Sequence, residues 1–359
     1  MQMTDSKKYI TSAERGLFDG FDRLAQIDKM GDVLANLDAV MDWSIFAPVL
    51  EQIPKPEPKG PGGRPGFHPL FMFKVLVLQD LHNLSDEQAQ YQILDRRSFA
   101  RFLGLTDADR VPDQNTIRGF RETLTNSGLI GELFNAFNDR LRERGFITRK
   151  GNIVDASMVE VPVQRNRRAE NETIKDGAIP EGWLNNPKRL AHKDTDARWT
   201  QKNGVSYYGY KNHVAVDLES KLIVRAVVTS ASVHDSRALD GVTGHGDPQT
   251  YADSAYTGPE CEAVLKSKGI AGEVCEKGVR NRPLTGRQRR SNRTKSRRRS
   301  RVEHVFAFMT GAMNALRKRY VGMVRNSAAG MMTNLVYNMA RAEQIIRLGL
   351  LGRKAKSLS

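Results

Sequence analysis

Cysteine is nearly missing from the 359 residues: only Cys261 and Cys275 occur, at a spacing that fits neither a disulfide framework nor a zinc site. That scarcity points to a reducing compartment. No apolar run reaches the ~18 residues that a spanning helix needs, and the opening MQMTDSKKYITSAERGLFDG lacks an apolar stretch of signal-peptide length. A cytoplasmic protein without a membrane partner is therefore expected. Neither GxGxxG after a strand nor GxxxxGK[ST] is found, which removes dinucleotide and P-loop sites from consideration. The last absence is local. Between Arg287 and Arg301 there is no acid at all, only eight arginines, Lys295 and neutral residues. These nine charges leave +6 of the formal +15 for the rest of the chain. A localised excess of this kind is the footprint of a nucleic-acid or other polyanion surface.

The segment after the basic run is apolar. Val302, Val305, Phe306, Met309, Met313 and Leu316 recur at three and four residues, the spacing of an amphipathic helix, and Glu303 falls off that stripe. Two readings fit this stretch. Either a solvated basic loop precedes an ordinary core helix with a surface Glu, or a carboxylate stands where phosphates and a metal ion meet.

Length and a 39% hydrophobic content suffice for two domains. Residues 1–53 read as opening helices suited to self-association, and 54–69, PKPEPKGPGGRPGFHP, as a Pro/Gly linker. Over 70–150 short helices succeed one another. They include Leu70 to Leu81, one capped by Ser85 with Gln88, one from Arg96 to Leu103, and one opened by Pro112 and Asp113. The last carries Asn115, Thr116, Arg118 and Arg121, as in a helix-turn-helix array with a recognition helix; a plain bundle fits the same periodicity. From Gly151 the pattern becomes α/β. GNIVDASMVEVPV, YYGYKNHVAVDLE and KLIVRAVVTSAS read as strands, followed by alternating helix and strand, a mixed sheet flanked by helices over 151–348. Residues 164–206 form a polar insertion, and 349–359 a basic tail.

Three acids lie in otherwise apolar settings: Asp155 in NIVDASMV, Asp253 in TYADSAYTG and Glu303 in SRVEHVFAF. Unpaired carboxylates are costly to bury, so their convergence at strand ends would be best explained by a hard cation. Oxygen-only ligation suits Mg²⁺ or Mn²⁺. Two such ions ~4 Å apart serve in-line displacement at phosphorus.

These residues also carry a resemblance. Asp155 in VDAS, the run DARWTQKNGVSYYGYKNHVAVD, HDS at 234–236, YADSAYTG and RVEHVFAFM, in this order, resemble the catalytic signature of DDE transposases of the insertion sequence five family. The stretch from Gly66 to Leu124 is similar to the helical domain that precedes the catalytic domain in that family. The resemblance implies a ribonuclease-H-like core after an all-helical N-terminal domain, with Asp155 on the first strand, Asp253 after the fourth and Glu303 on a late helix. It further implies Asp155, Asp253 and Glu303 as catalytic residues and metal ligands, two Mg²⁺ or Mn²⁺ ions, and DNA as partner, both terminal inverted repeats and target. A homo-oligomer and a nucleoid-associated place in a bacterial cytoplasm are expected with it.

One departure stands out. Relatives place Tyr, Arg and Lys at seven before, four before and seven after the Glu; here these are Ser296, Arg299 and Thr310. For DNA contact the expectation covers Arg299, Arg297, Arg298, Lys211, Arg287, Arg289, Arg290, Asn115, Thr116, Arg118 and Arg121. His234 with Asp235 either positions a phosphate or simply caps a turn. Tyr207, Tyr208 and Tyr210 suit sheet packing or base stacking, and Trp183 and Trp199 packing or a flipped base. A transposase is the first reading. A metal-dependent nuclease on the same core and a DNA-binding repressor or structural protein derived from a transposase are the alternatives.

Overall fold

The computed structural model describes Gly16 and residues 19–54, 65–202, 204–280, 282–352 and 358. The first part of the expected opening layer, most of the Pro/Gly linker (55–64) and most of the basic tail (353–357 and 359) lie outside the described residues.

The N-terminal part is helical: α1 (Asp19–Met30), α2 (Val33–Val40), a 3₁₀ turn (Trp43–Phe46), α3 (Ala47–Leu50), α4 (Pro69–Leu81), α5 (Asp86–Asp95), α6 (Arg97–Leu103), α7 (Gln114–Asn126) and α8 (Leu129–Glu143). Helix α4 starts on Pro69, whose fixed φ suits a first helical position. Being apolar almost all round, it buries Met72, Phe73, Val75, Leu76, Val77, Leu78 and Leu81 and becomes the centre of this layer. Ser85 and Gln88 form the anticipated capping box of α5. Helix α8 is an element beyond those expected from pattern, although Leu129, Ile130, Leu133, Phe134, Phe137 and Leu141 line its buried face.

The second part contains β1 (Asn152–Glu160), α9 (Arg168–Lys175), α10 (Glu181–Leu184), α11 (Pro187–Ala191), β2 (Arg198–Lys202), β3 (Val205–Asp217) and β4 (Ile223–Ser230). Next come α12 (Leu239–Val242), β5 (Gln249–Ala252), α13 (Pro259–Ser267), β6 (Ala271–Val274), α14 (Gly286–Arg299), α15 (Arg301–Gly311) and α16 (Met323–Leu348). The strands make one mixed sheet. β3 pairs antiparallel with β1 and with β4, whereas β5 is parallel to β1 and β6 to β5. The turn between β3 and β4 is built on Asp217, fully buried, which accepts from the backbone N–H of Ser220 at 2.9 Å and of Thr148 at 2.9 Å. Gly209 lets β3 run against β1: a Cβ there would lie 2.2 Å from the Val159 carbonyl oxygen, at a φ of +145°.

The polar insertion is ordered rather than a bare loop. Trp183 explains it: fully buried, it donates from Nε1 to Glu170 at 2.8 Å and gathers Arg189 and Lys193 over its ring. β2 then returns as a hairpin on the first half of β3. Of the alternatives left open, Trp183 is packed. Trp199 is about half exposed and rests on Tyr208 with ring centroids 5.2 Å apart.

Helix α16 joins the two parts. It lies on β4, with Gly330 against Val228, and the buried side chains of α4, α8, α16 and the sheet belong to one continuous apolar cluster. On the opposite sheet face Gly241 of α12 meets Val227. The boundary at residue 150 is thus a change of element type within a shared core.

Candidate functional site

Sheet geometry brings Asp155 and Asp253 together. Ile153 pairs with Tyr251 across the parallel strands β1 and β5; Asp155 stands two residues further along β1 and Asp253 just past the end of β5, close enough for the two charges to act on each other. Asp155 Oδ1 accepts from the Ala156 N–H at 2.8 Å, and Oδ2 from Arg299 Nη1 at 2.6 Å. Asp253 caps the 3₁₀ turn Ser254–Tyr256 by accepting from the Ala255 N–H at 2.8 Å. Burial raises the pKa of Asp155 above the ordinary carboxylate range, and the Asp253 charge adds to the rise while Arg299 opposes it. Tyr256, buried with its hydroxyl unpartnered among the described residues, feels the same charges: burial first, then Asp235, Asp155 and Asp253, push its pKa well up.

Glu303 does not complete a triad here. It is exposed on the first turn of α15, which buries Val302, Val305 and Met309. Among the described residues no three His, Cys, Asp or Glu side chains gather as a group that could hold a metal ion. The apolar setting inferred for all three acids holds for Asp155 and fails for Glu303, because the stripe that buries α15 leaves position 303 on its outer side. Two adjacent carboxylates nonetheless fit Mg²⁺, which is commonly held by one or two carboxylates with water and substrate phosphate making up the rest.

The basic run is a helix and not a loop. Arg, Lys and Gln favour helices, Thr285 and Gln288 form a capping box, and Arg297, Arg298 and Arg299 sit at the end where the helix dipole welcomes cations. Helix α14 buries no residue fully; it docks on the sheet edge through polar side chains. Gln288 bonds Glu276, Asn292 exchanges hydrogen bonds with the Glu276 backbone at 2.9 Å, and Lys295 donates to the Val274 carbonyl at 2.9 Å. Arg298 reaches the Tyr251 hydroxyl and stacks over its ring at 5.3 Å. That leaves Arg287, Arg290, Arg293 and Arg297 outward and exposed, with Arg289 exposed but tied to the Leu284 carbonyl at 3.1 Å. The helix ends at Arg299, so Arg299 and Glu303 belong to different helices, on either side of Ser300.

Two other expected contacts turn inward. Lys211 is buried, donating to Asp235 at 2.7 Å and to the Val233 carbonyl at 2.8 Å. Register explains it: Asp155 lies opposite Val214, and Asn212, on the same face, bonds Asn334 of α16 at 2.8 Å, so Lys211 and His213 point to the other face. Asp235 is thereby a partner of Lys211, a pairing across 24 residues that no local pattern announces. His234, at the cap of the 3₁₀ turn, bonds Ser236. Tyr210, also fully buried, donates to Asp194, and Tyr208 is buried too, which favours packing for both. On α7, Arg121 is held by Asp86 through both Nη atoms at 2.6 and 2.8 Å and lines a cavity of about 570 Å³ between the two parts, with Asp80, Lys318 and Tyr320. Asn115 and Arg118 remain exposed, bonded to each other at 3.0 Å; Thr116 is half-buried, its N–H given to Asp113.

Residues 148–339, more than half of the chain, match the family described as Transposase DDE domain. The chain belongs to the DDE transposases. Residues 21–123 match a second family, Transposase domain (DUF772), so the helical layer before the sheet is also of transposase type. No solved structure matches the chain. The paired acids Asp155 and Asp253 both lie inside the DDE transposase match, as do α14 and Glu303. Among the described residues no single helix of this transposase is long and apolar enough to cross a membrane.

Proposed function

We propose that this DDE transposase binds the terminal inverted repeats of an insertion sequence of the insertion sequence five type, cleaves their ends and joins them to target DNA by two-metal phosphoryl transfer. The observation that carries the reading is the pair Asp155, on β1, and Asp253, directly after the parallel neighbour β5, flanked by the cationic helix α14. Strand order β4, β3, β1, β5, β6, with only β3 antiparallel to the others, supports a ribonuclease-H-like core. Asp155 and Asp253 would hold Mg²⁺ or Mn²⁺, with Glu303 as third ligand on the strength of the resemblance alone. When bound, the metal supplies Lewis-acid stabilisation of the oxygens around phosphorus. The chain's own residues bind and orient: Arg287, Arg289, Arg290 and Arg297 track the DNA backbone, and Asn115, Thr116 and Arg118 meet the duplex from α7. Arg298, exposed but bonded to Tyr251, and Lys211, buried on Asp235, are expected DNA contacts that would first have to leave a partner within the chain. Two ends must be held at once, which calls for a homo-oligomer.

The test is cleavage of a duplex carrying the element's end. Mg²⁺ or Mn²⁺ should support cutting and strand joining, Ca²⁺ binding only, and Asp155→Asn, Asp253→Asn and Glu303→Gln should bind the end without cutting it. Full cleavage after exhaustive chelation would sink the metal reading. Because Glu303 stands apart from the pair, normal DNA binding with no cleavage by the unaltered protein would favour the repressor-like alternative; cleavage without joining would favour the nuclease.

A further inference from the structure

We propose that Arg299 is a tethered counter-ion for Asp155, occupying the carboxylate oxygen that a divalent cation needs and leaving it when the ion binds. The inference rests on the carboxylate reading above. Both oxygens of Asp155 are engaged by the protein itself, Oδ1 by the Ala156 N–H at 2.8 Å and Oδ2 by Arg299 Nη1 at 2.6 Å. The Ala156 N–H is held in place by the backbone of β1, whereas Arg299 reaches in from the end of a helix. Arg299 is therefore the group that must yield. Its side chain is about a quarter exposed and that of Asp155 only 15%. Two neighbouring carboxylates in so dry a place repel each other unless a cation stands between them and solvent, and Arg299 supplies that charge.

The seat is an imperfect one. Arg299 Nε is buried with no acceptor among the described residues, so the guanidinium gives up a hydrogen bond while it stays. Position favours release: Arg299 is the last residue of α14, and Ser300 separates it from α15, so its side chain can turn without disturbing the packing of Val302 and Val305. Once displaced it joins exposed Arg297 beside the sheet edge, where a phosphate could receive it. Metal ion and DNA would then help each other bind, because each takes one partner of the same ion pair.

Titration of the full-length protein with Mn²⁺ alone, read as loss of the free-ion paramagnetic resonance signal in the absence of DNA, tests this directly. Arg299→Ala and Arg299→Gln should bind Mn²⁺ roughly three- to tenfold more tightly than the unaltered protein, as expected for removing a partly exposed competing ion pair. Arg299→Lys, which keeps a cation there, should stay close to the unaltered affinity. Arg293→Ala, which removes an exposed charge from the same helix, should change it little. Equal affinity in all variants overturns the proposal, and so does an equal gain from Arg293→Ala, which would reduce the effect to net charge. Asp155→Asn should abolish the binding; if it binds Mn²⁺ as well as the unaltered protein, the carboxylate reading itself is wrong. Arg299→Gln, nearest in shape, keeps the comparison available should Arg299→Ala fold poorly.

Discussion

Asn338 of α16 donates its amide to Asn138 of α8 at 2.9 Å, and both side chains also bond the backbone of Ile223 at the start of β4. Neither is exposed at all. This small network pins the helical layer, the long C-terminal helix and the sheet at one point, and buried polar groups satisfied in this way specify one packing arrangement over others.

Asn338→Ala should therefore destabilise the whole chain. It leaves the Ile223 N–H and the Asn138 Oδ1 buried without their partner, and with the hole it opens the cost should be about 2–4 kcal/mol. Denaturant unfolding followed by far-ultraviolet circular dichroism measures it. If the helical layer alone loosens while the sheet unfolds at its usual midpoint, the network does not couple the two parts.

Much of this architecture is legible in the sequence because local signals and packing agree. Alternation marks β1, β3 and β4, and the Ser85 capping box fixes the start of α5. The resemblance places Asp155 on the first strand and Asp253 after the fourth; Asp253 in fact follows the fifth, because the polar insertion contributes β2 as an extra strand. The features that escape are set by distant partners. Where the basic helix docks depends on Glu276, Val274 and Tyr251, and the folding of the insertion depends on Trp183 finding Glu170. Inward turning of Lys211 and Arg121 comes from Asp235 and Asp86. A charged residue in a sequence advertises solvent or a ligand equally well, and only the fold shows which are already spoken for.

His213 makes stability depend on pH. It is fully buried, bonds Thr229 through Nε2 at 2.9 Å and leaves Nδ1 unpartnered among the described residues. Burial pushes its pKa down to about 4 from 6.5; Lys211 pushes the same way and Asp235 against it. Between these values the unfolded chain takes up a proton that the folded chain refuses. Stability from this site is thus complete above about pH 6.5 and falls away as pH drops toward 4, by about 3 kcal/mol in all. His213→Gln should flatten the stability curve over that window. An unchanged slope would assign it to carboxylates instead.

Arg121 and Arg118 lie three apart on α7 and should behave differently. Arg121→Ala leaves Asp86 with Gln79 alone, at 2.7 Å, in place of its ion pair and loses the contact over Tyr320 at 5.2 Å, so thermal stability should fall, by about 2 kcal/mol, with affinity for the element's end unchanged. Arg118→Ala should leave melting unaffected and weaken end binding. Fluorescence anisotropy with a labelled end, beside a thermal melt of each variant, separates the two; the reverse pattern would place the DNA on the other face of α7.

Among the described residues, the unpaired and the tethered cations of α14 permit a sharper comparison. Arg287, Arg290 and Arg297 are exposed, and since the helix buries no residue fully, replacing them by Ala, the best helix former, should not disturb the fold. If these side chains track phosphates, the triple variant should lose affinity for specific and random duplexes alike. Each lost phosphate contact also releases fewer counterions, so the salt dependence of binding should become shallower by about 0.9 for each contact. Arg298 is the counterpart. It is committed to Tyr251 of β5, so Arg298→Ala should lower stability and leave the salt slope close to that of the unaltered protein. A slope reduced by about one in Arg298→Ala would mean that DNA draws this side chain off Tyr251. The face of α14 turned to the sheet in the free protein would then be part of the DNA path.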